Sequence, residues 1–489
     1  MVELSKVLKG ISVLHYMGSL DKKISGIQTN SKKISQGNVF VALKGRGTDG
    51  HFYVDEAVAL GATVIICNEG YTIKQELRNN VTFVIVNDTR KIIHCLIDNY
   101  YDNPTSKFWL IGITGTNGKT SVSIMIDRVY SELGYRTGVI GTIDNFLMGE
   151  AMNSVKTTPT TPDCCELGAL MNIYQENHID KVIMEVSSMS LKMHRVDSCV
   201  FDVAVFTNLS PEHLDDHSTM EDYKKSKMKL FELAPRAVIN IDDYNHKDFL
   251  DISKGSVITY SIDKDADVVA RNICYTEKNV IFDVIVNNTE YHISLPIPSK
   301  FAVYNALATI GVCMYDEFID LKDVCKILSE NYVIPGRYEV INLKNNVEVI
   351  IDYAHTPVAL ENLLRAVRNN PSFENIITVF GCGGNRDASK RPKMGEIAQK
   401  YSDVVIITSD NPRYENPDKI IDDIICGIKN NEKKVIRIVD RHTAIKKALE
   451  LAKSGDAVVI AGKGHETVQI VNGKNIHFND KEEILLADK

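Results

Sequence analysis

Three glycines punctuate the stretch Gly112-Ile-Thr-Gly115-Thr116-Asn117-Gly118-Lys119-Thr120-Ser121, where the residue types needed to grip a nucleoside triphosphate follow one another. An apolar run at residues 108–111 precedes it, as a buried strand would. After it Val122, Met125, Ile126, Val129 and Leu133 recur at helical spacing. Strand, glycine-rich turn and helix together make a phosphate-binding loop: backbone N–H groups curl around phosphate oxygens and the helix N-terminus adds favourable partial charge. Lys119 would then reach the outer phosphates of ATP, and the Thr120 hydroxyl would sit on Mg²⁺. The spacing departs from the common Gly-x4-Gly-Lys-[Ser/Thr] form, because Ile113 stands where the first glycine should be. The competing reading is a plain tight turn.

Two more charged groups fall at strand ends. Glu185 closes the apolar run from residue 181, where a carboxylate is costly unless paired or metal-bound. A second run, residues 202–206, leads into Thr207-Asn-Leu-Ser-Pro-Glu-His213-Leu-Asp-Asp-His217. In open α/β sheets ligands bind at the carboxyl ends of strands, which brings Lys119, Thr120, Glu185 and His213 toward one place. The hard cation expected there is Mg²⁺; histidine is an unusual ligand for it, and capping or core-polar roles for His213 stay open. The helical pattern at residues 220–233 carries Lys224, Lys225, Lys227 and Lys229; spacing alone singles out none of them.

The elements around these residues read as α/β, in three domains. Residues 1–106 hold strand-like runs at 39–43, 62–66 and 81–86, with a helical pattern at 53–60; residues 103–106 look like a linker. Residues 107–334 form a central P-loop ATPase-like domain with added β-ribbons at 257–262, 279–286 and 291–295, turning at Asn287-Asn288 and closed by a helix at 301–314. Residues 335–489 alternate strands (347–353, 376–380, 404–408, 435–439, 457–460) with helices (359–367, 394–400, 419–428, 443–452), the pattern of a Rossmann-like doubly wound sheet. Four polar loops follow those strands, at 352–357, 381–387, 409–413 and 462–466, and argue for a second ligand site; each alone is also readable as a plain turn or cap.

Composition narrows the classes. The 489 residues are 44% hydrophobic and 25% charged, as in a soluble globular chain. With 56 Lys and Arg against 64 Asp and Glu, the net charge is −8, so no basic surface invites nucleic acid. No apolar run reaches the roughly 18 residues of a membrane span, and the N-terminus lacks a signal-peptide core. A cytoplasmic monomer without membrane insertion is expected.

Taken in order, Gly115-Thr-Asn-Gly-Lys-Thr120, Glu185-Val-Ser-Ser188, Thr207-Asn-Leu-Ser-Pro-Glu-His213, Gly336-Arg337, Asp352-Tyr-Ala-His355 and Gly462-Lys-Gly-His-Glu466 resemble the Mur ligases. These are ATP-dependent amide-bond-forming enzymes of peptidoglycan synthesis, and the match covers nearly the whole chain. Asp410-Asn411-Pro412-Arg413 looks like the motif of the branch that adds meso-2,6-diaminopimelate to UDP-N-acetylmuramoyl-L-alanyl-D-glutamate; L-lysine or another amino acid is the alternative acceptor. Folylpolyglutamate synthetases are more distant relatives. A binding or scaffold protein would be expected to have lost Lys119, Glu185 or His213.

The resemblance implies roles position by position. ATP contacts fall at Gly115, Thr116, Asn117, Gly118, Lys119, Thr120, Ser121, Asn305, Arg337 and His355. Thr120, Glu185 and His213 match Mg²⁺ ligands, and Lys227 matches the lysine that reacts with CO₂ to become a carbamate (N6-carboxylysine). Thr29, Ser31, Arg46, Gly47 and Thr48, then Thr160, Thr161, Ser187 and Arg195, match contacts to the sugar-peptide substrate. Arg386, Asp410, Asn411, Pro412, Arg413, Gly462 and Glu466 match the amino-acid site. Asn30-Ser31-Lys32 stands where the family usually has Asp-Ser-Arg, and Met189 where histidine is common.

Overall fold

The computed structural model describes every residue except 46–47, 79, 154–157, 213–214, 430–433 and 489. The chain is α/β throughout, built on three main sheets among the described residues. The central one has eleven strands, and its order puts Trp109–Thr114 between Lys181–Glu185 and Val203–Phe206, all parallel. Trp109–Ile113 is apolar without a break because both faces of the strand are covered. Ile111 and Ile113 pack with Val122, Ile126 and Val129 of helix Lys119–Glu132 and with Leu307 and Ile310 of helix Lys300–Cys313. Leu110, pointing the other way, joins Leu167 and Met171 of helix Cys164–Glu176 and Leu230 and Phe231 of helix Met220–Leu233.

The stretch read as a first β-ribbon at 257–262 is instead a parallel strand, Ser256–Ser261, paired with Arg236–Asn240. Tyr260 and Ser261 are buried in it, which a free ribbon would not require. The sheet continues through Val268–Tyr275, Val280–Val286 and Thr289–Leu295, so the ribbons are its antiparallel end. Val268–Tyr275 escaped the sequence reading because its alternation breaks at a bulge between Arg271 and Cys274, with Asn272 at φ 53°. Asn287 and Asn288 do form the hairpin turn, both at positive φ (49° and 63°).

The N-terminal sheet runs His15–Met17, Thr82–Val86, Val64–Asn68, Asn38–Val41, Gly26–Gln28 in space. The stretch read as a linker is a pinned turn. Pro104 and Thr105 are buried in the short helix Pro104–Lys107, and the Val200 amide donates to Thr105 Oγ1 at 3.1 Å. The C-terminal sheet orders Glu339–Asn342, Glu348–Asp352, Ala457–Ala461, Ile376–Phe380, Val404–Ile407, Lys434–Arg437, parallel except at its first pair. The sequence reading holds neither strand Glu339–Asn342, nor the hairpin Val468–Val471/Lys474–His477, nor helix Asp480–Ala487. That helix is short and only weakly amphipathic, and a buried ion pair fastens it. Arg441 Nε and Nη2 donate to Asp480 Oδ1 and Oδ2 at 2.7 and 2.8 Å, with both side chains 0% exposed. Asp480→Asn would strand the guanidinium and is expected to destabilise this unit by about 3–5 kcal/mol. Faster hydrogen exchange along Asp480–Ala487, with helix Lys119–Glu132 unchanged, is the measurement; equal exchange in both proteins refutes it.

Candidate functional site

The phosphate-type loop is held from the side by the neighbouring strand. Past Val203–Phe206 the chain turns at Thr207, whose Oγ1 donates to the Asn117 carbonyl at 2.7 Å. Asn208 Nδ2 donates to the same oxygen at 3.0 Å, and Asn208 Oδ1 accepts the Asn117 amide at 3.0 Å. The Thr116 amide donates to the Asn208 carbonyl at 2.8 Å. Thr207 and Asn208 thus set the loop's shape, a role that the sequence reading did not assign to them. Gly115 sits at φ 149°, and a Cβ there would lie 1.9 Å from Thr207 Oγ1. Gly115→Ala must therefore move the brace or the loop, at about 1–3 kcal/mol of strain. It is expected to weaken ADP binding about tenfold or more, read by titration calorimetry; unchanged affinity refutes it.

Gly118, at φ 89°, precedes helix Lys119–Glu132 without a side-chain cap, and Asn305 Oδ1 lies against it, 2.9 Å from a Cβ built there. Lys119 Nζ donates to the Gly115 and Thr116 carbonyls at 3.0 and 2.9 Å. Ser121 is buried in the first turn. Thr120 Oγ1 donates to Glu185 Oε2 at 3.0 Å, and Thr142 binds both oxygens of that carboxylate, through its amide and its hydroxyl, each at 2.8 Å. Glu185, 1% exposed, therefore has its carboxylate oxygens satisfied by three donors. Thr142 was missed because its loop has no motif of its own. Hard oxygens of Thr120, in the first turn of helix Lys119–Glu132, and Glu185, at the end of strand Lys181–Glu185, lie side by side and fit a site for Mg²⁺. His213, the other expected ligand, lies outside the described residues, as do Arg46 and Gly47.

Helix Met220–Leu233 resolves the choice among its lysines. Lys224 and Lys225 pair with Glu221 at the surface, and Lys229 points at the Leu191 carbonyl, 3.5 Å away. Lys227 is 1% exposed, and its Nζ donates to the Gly115 carbonyl at 2.8 Å. Burial holds its amine well below the ordinary lysine range and the charge of Lys119 lowers it further, against a smaller opposing pull from Glu212. The signal was present in the pattern: Lys227 shares one helical face with buried Tyr223, Leu230 and Phe231.

The C-terminal unit reaches this place. Arg337 Nη2 donates to Thr120 Oγ1 at 3.2 Å, and its guanidinium lies 4.4 Å above the Tyr353 ring. His355 Nδ1 is 2.8 Å from the Tyr353 carbonyl, and its Nε2 is 3.0 Å from Glu212 Oε1. Glu212 was read only as part of its loop; its place between His355 and Lys227 is a product of folding.

The two halves of the sugar-peptide set differ. Thr160, Thr161, Ser187 and Arg195 form one chain of contacts. Thr160 Oγ1 meets Thr142 Oγ1 at 3.0 Å, Thr161 Oγ1 donates to the Glu185 carbonyl at 2.8 Å and accepts the Ser187 amide at 3.0 Å, and Arg195 Nη1 donates to the Thr161 carbonyl at 3.3 Å. In the N-terminal unit, Ser31 Oγ is committed to Glu56 Oε2 at 2.5 Å and Thr48 Oγ1 to Tyr53 at 3.2 Å. Thr29 lies beside Cys165 of the central unit.

The amino-acid set does converge. Arg413, at φ 53°, donates through Nη1 to the Gly384 carbonyl at 2.8 Å; burial lowers its pKa and the charge of Arg386 lowers it further. Asn411 Nδ2 donates to Glu466 Oε2 at 2.9 Å, and Asp410 Oδ2 faces Gly462, 3.0 Å from a Cβ built there. Pro412 completes the turn: its carbonyl accepts the Glu415 amide at 2.9 Å. Arg386 reaches the central unit, with Nη1 3.1 Å from Asp215 Oδ2. Beneath them lies Lys463, fully buried and unassigned by the sequence reading. Among the described residues no helix is long and apolar enough to cross a membrane.

A braced phosphate loop, a buried carboxylate beside it and a C-terminal αβ unit whose Arg337 reaches Thr120 fit an ATP-using ligase, and the comparisons agree. The Mur ligase family catalytic domain matches residues 23–101, the Mur ligase middle domain 113–313, and the Mur ligase glutamate ligase domain 336–464. The chain belongs to the Mur ligase family. Within it, the chain is 43% identical over 482 residues to the UDP-N-acetylmuramoyl-L-alanyl-D-glutamate--2,6-diaminopimelate ligase of Caldanaerobacter subterraneus subsp. tengcongensis, covering 98% of each. It is 41% identical over 484 residues to ligase 1 of that name from Clostridium acetobutylicum, again covering 98% of each. A solved structure of a UDP-N-acetylmuramoyl-L-alanyl-D-glutamate--2,6-diaminopimelate ligase superposes at a TM-score of 0.69, with 29% identity, over 100% of this chain and 98% of that one.

Proposed function

We propose that the protein is an ATP-dependent ligase that joins meso-2,6-diaminopimelate to UDP-N-acetylmuramoyl-L-alanyl-D-glutamate through an acyl phosphate, acting as a cytoplasmic monomer in peptidoglycan precursor synthesis. Residues 1–106 take the sugar nucleotide, 107–334 the ATP and 335–489 the amino acid. The observation that carries this reading is the Arg337–Thr120 contact, which sets the amino-acid unit against the phosphate loop.

The residues divide the work as follows. Gly115 to Ser121 present backbone N–H groups to the ATP phosphates and Lys119 swings from its loop carbonyls to the outer phosphate oxygens. Asn305, Arg337 and His355 line the nucleotide. Thr120, Glu185 and His213 would hold Mg²⁺, and the ion would supply positive charge to offset that of the phosphates. Buried Lys227, whose pKa is pulled well below the ordinary lysine range, adds the lone pair of its neutral form to CO₂ and loses a proton, giving an anionic carbamate where an ammonium would repel a metal ion. Thr160, Thr161, Ser187 and Arg195 orient the substrate carboxylate that attacks the γ-phosphorus, while Thr29, Ser31, Arg46, Gly47 and Thr48 hold its UDP end. Arg413 and Arg386 bind the carboxylates of diaminopimelate, and Asp410, Asn411 and Glu466 the ammonium group that does not react; the other amino group, deprotonated, attacks the acyl carbon, the acyl–oxygen bond breaks to release phosphate, and the nitrogen gives up its extra proton to water.

Phosphate release by the purified protein, with ATP, Mg²⁺ and the UDP-dipeptide, tests the proposal. Release that needs both the dipeptide and diaminopimelate is expected, with little from L-lysine. Release indifferent to the amine overturns the ligase reading, and equal turnover with lysine overturns the choice of amine.

A further inference from the structure

The amino-acid loops rest on an ammonium that none of the roles above uses. Lys463 is 0% exposed, whereas Glu466, one helical turn away in sequence, keeps 27% of its side chain in the cleft. Lys463 Nζ donates to Glu466 Oε2 at 2.8 Å, to Asn411 Oδ1 at 3.3 Å and to the Val468 carbonyl at 2.7 Å. It also stands 4.0 Å from Asp410 Oδ1. Its three acceptors belong to two different strand-end loops and to the hairpin Val468–Val471/Lys474–His477. That hairpin in turn reaches Asn411 and Arg413: the Ile470 amide donates to Asn411 Oδ1 at 2.9 Å, and the Arg413 amide donates to the Ile470 carbonyl at 2.9 Å.

A buried lysine must find partners for its three donors, and this one finds all of them. The consequence is orientation. With Oε2 of Glu466 held by both Lys463 and Asn411, the carboxylate is pinned at one oxygen while part of the side chain stays exposed. Lys463 also places positive charge between two carboxylates that would otherwise face each other. We infer that Lys463 is the positioning residue of the amine site: it orients Glu466 and Asn411 so that a diamino acid is gripped at its ammonium end, without itself touching substrate. This rests on the proposed assignment of these loops to the amino acid.

The test is a double-mutant cycle on the full-length protein. Lys463→Met is expected to raise KM for diaminopimelate about tenfold or more, as loss of a charge-assisted contact to the orienting carboxylate would, while KM for ATP moves less than about twofold. In a Glu466→Gln background the same substitution should add less than about twofold, because its effect runs through Glu466. Full multiplication of the two losses, or a parallel rise in KM for ATP, would reduce Lys463 to a general structural role and overturn the inference; so would an unchanged KM. Lys463→Gln, which keeps a donor without the charge, carries the same comparison should the methionine variant not fold. Wild-type protein that releases no phosphate with any amine would fail the ligase reading itself, a result visible before either variant is made.

Discussion

Replacing Lys227 with methionine is expected to lower turnover by about 10³-fold while ADP binding stays within a few-fold, because transition-state charge, not nucleotide grip, is what it serves. The side chain is 1% exposed and lies over the Tyr223 ring, 4.5 Å from its centroid, so methionine fills the same apolar slot. What is lost is a nitrogen able to carry CO₂. Carbamate formation needs a neutral amine, and burial, seconded by the charge of Lys119, favours that form by pulling the pKa well below its ordinary value. The sign for pH follows. Above the lowered pKa the amine is neutral and open to CO₂; as pH falls through it, protonation removes the lone pair. Enzyme prepared free of CO₂ should therefore regain activity on adding bicarbonate at neutral or alkaline pH, and regain less of it in acid. A methionine variant within tenfold of wild type, or wild type indifferent to CO₂ with no carbamate signal by ¹³C NMR, would refute this role.

Arg413→Ala is expected to be the larger loss on the amine side, raising KM for diaminopimelate about 10²-fold or more and erasing most of the preference over lysine. One guanidinium nitrogen is already fixed on the Gly384 carbonyl at 2.8 Å, which leaves the rest of the fork pre-oriented for a carboxylate. Gly383 makes room for it, since a Cβ there would stand 2.9 Å from Arg413 Nη1. Arg413→Lys should rescue little, because a single ammonium cannot reproduce a planar, two-pronged contact. Steady-state kinetics with both amines decide the matter; a variant that loses turnover equally with lysine and diaminopimelate would show that Arg413 holds the fold of the loop instead of selecting the substrate.

Local pattern was enough wherever one segment carries its own reason. Gly115 to Ser121 between an apolar run and a helical repeat reads as a strand-to-helix glycine loop, which the structure shows, and the strand at Ile376–Phe380 and the helix at Met220–Leu233 stand where their periodicity puts them. Both signals are short-range: backbone sterics, glycine at positive φ, and the period of buried side chains. Where the alternation was broken by a bulge, at Val268–Tyr275, or where a helix such as Asp480–Ala487 depends on an ion pair with Arg441, the pattern was silent. The N-terminal Ser31 shows the reverse case, a recognisable motif residue whose hydroxyl the fold turns onto Glu56.

The site's working partnerships belong to the tertiary structure alone. Arg337 meets Thr120 across 217 positions of sequence, and Lys227 meets Gly115 across 112. Four lysines on one helix are alike to composition; only packing against Tyr223 and the phosphate loop buries one of them and pulls its pKa well below the ordinary lysine range. Lys463 sits within a legible motif, yet its meaning came from three acceptors gathered from separate loops. Sequence names the groups because residue chemistry is local; which of them touch is set by how strands order themselves in a sheet, and that is a non-local choice made by burial.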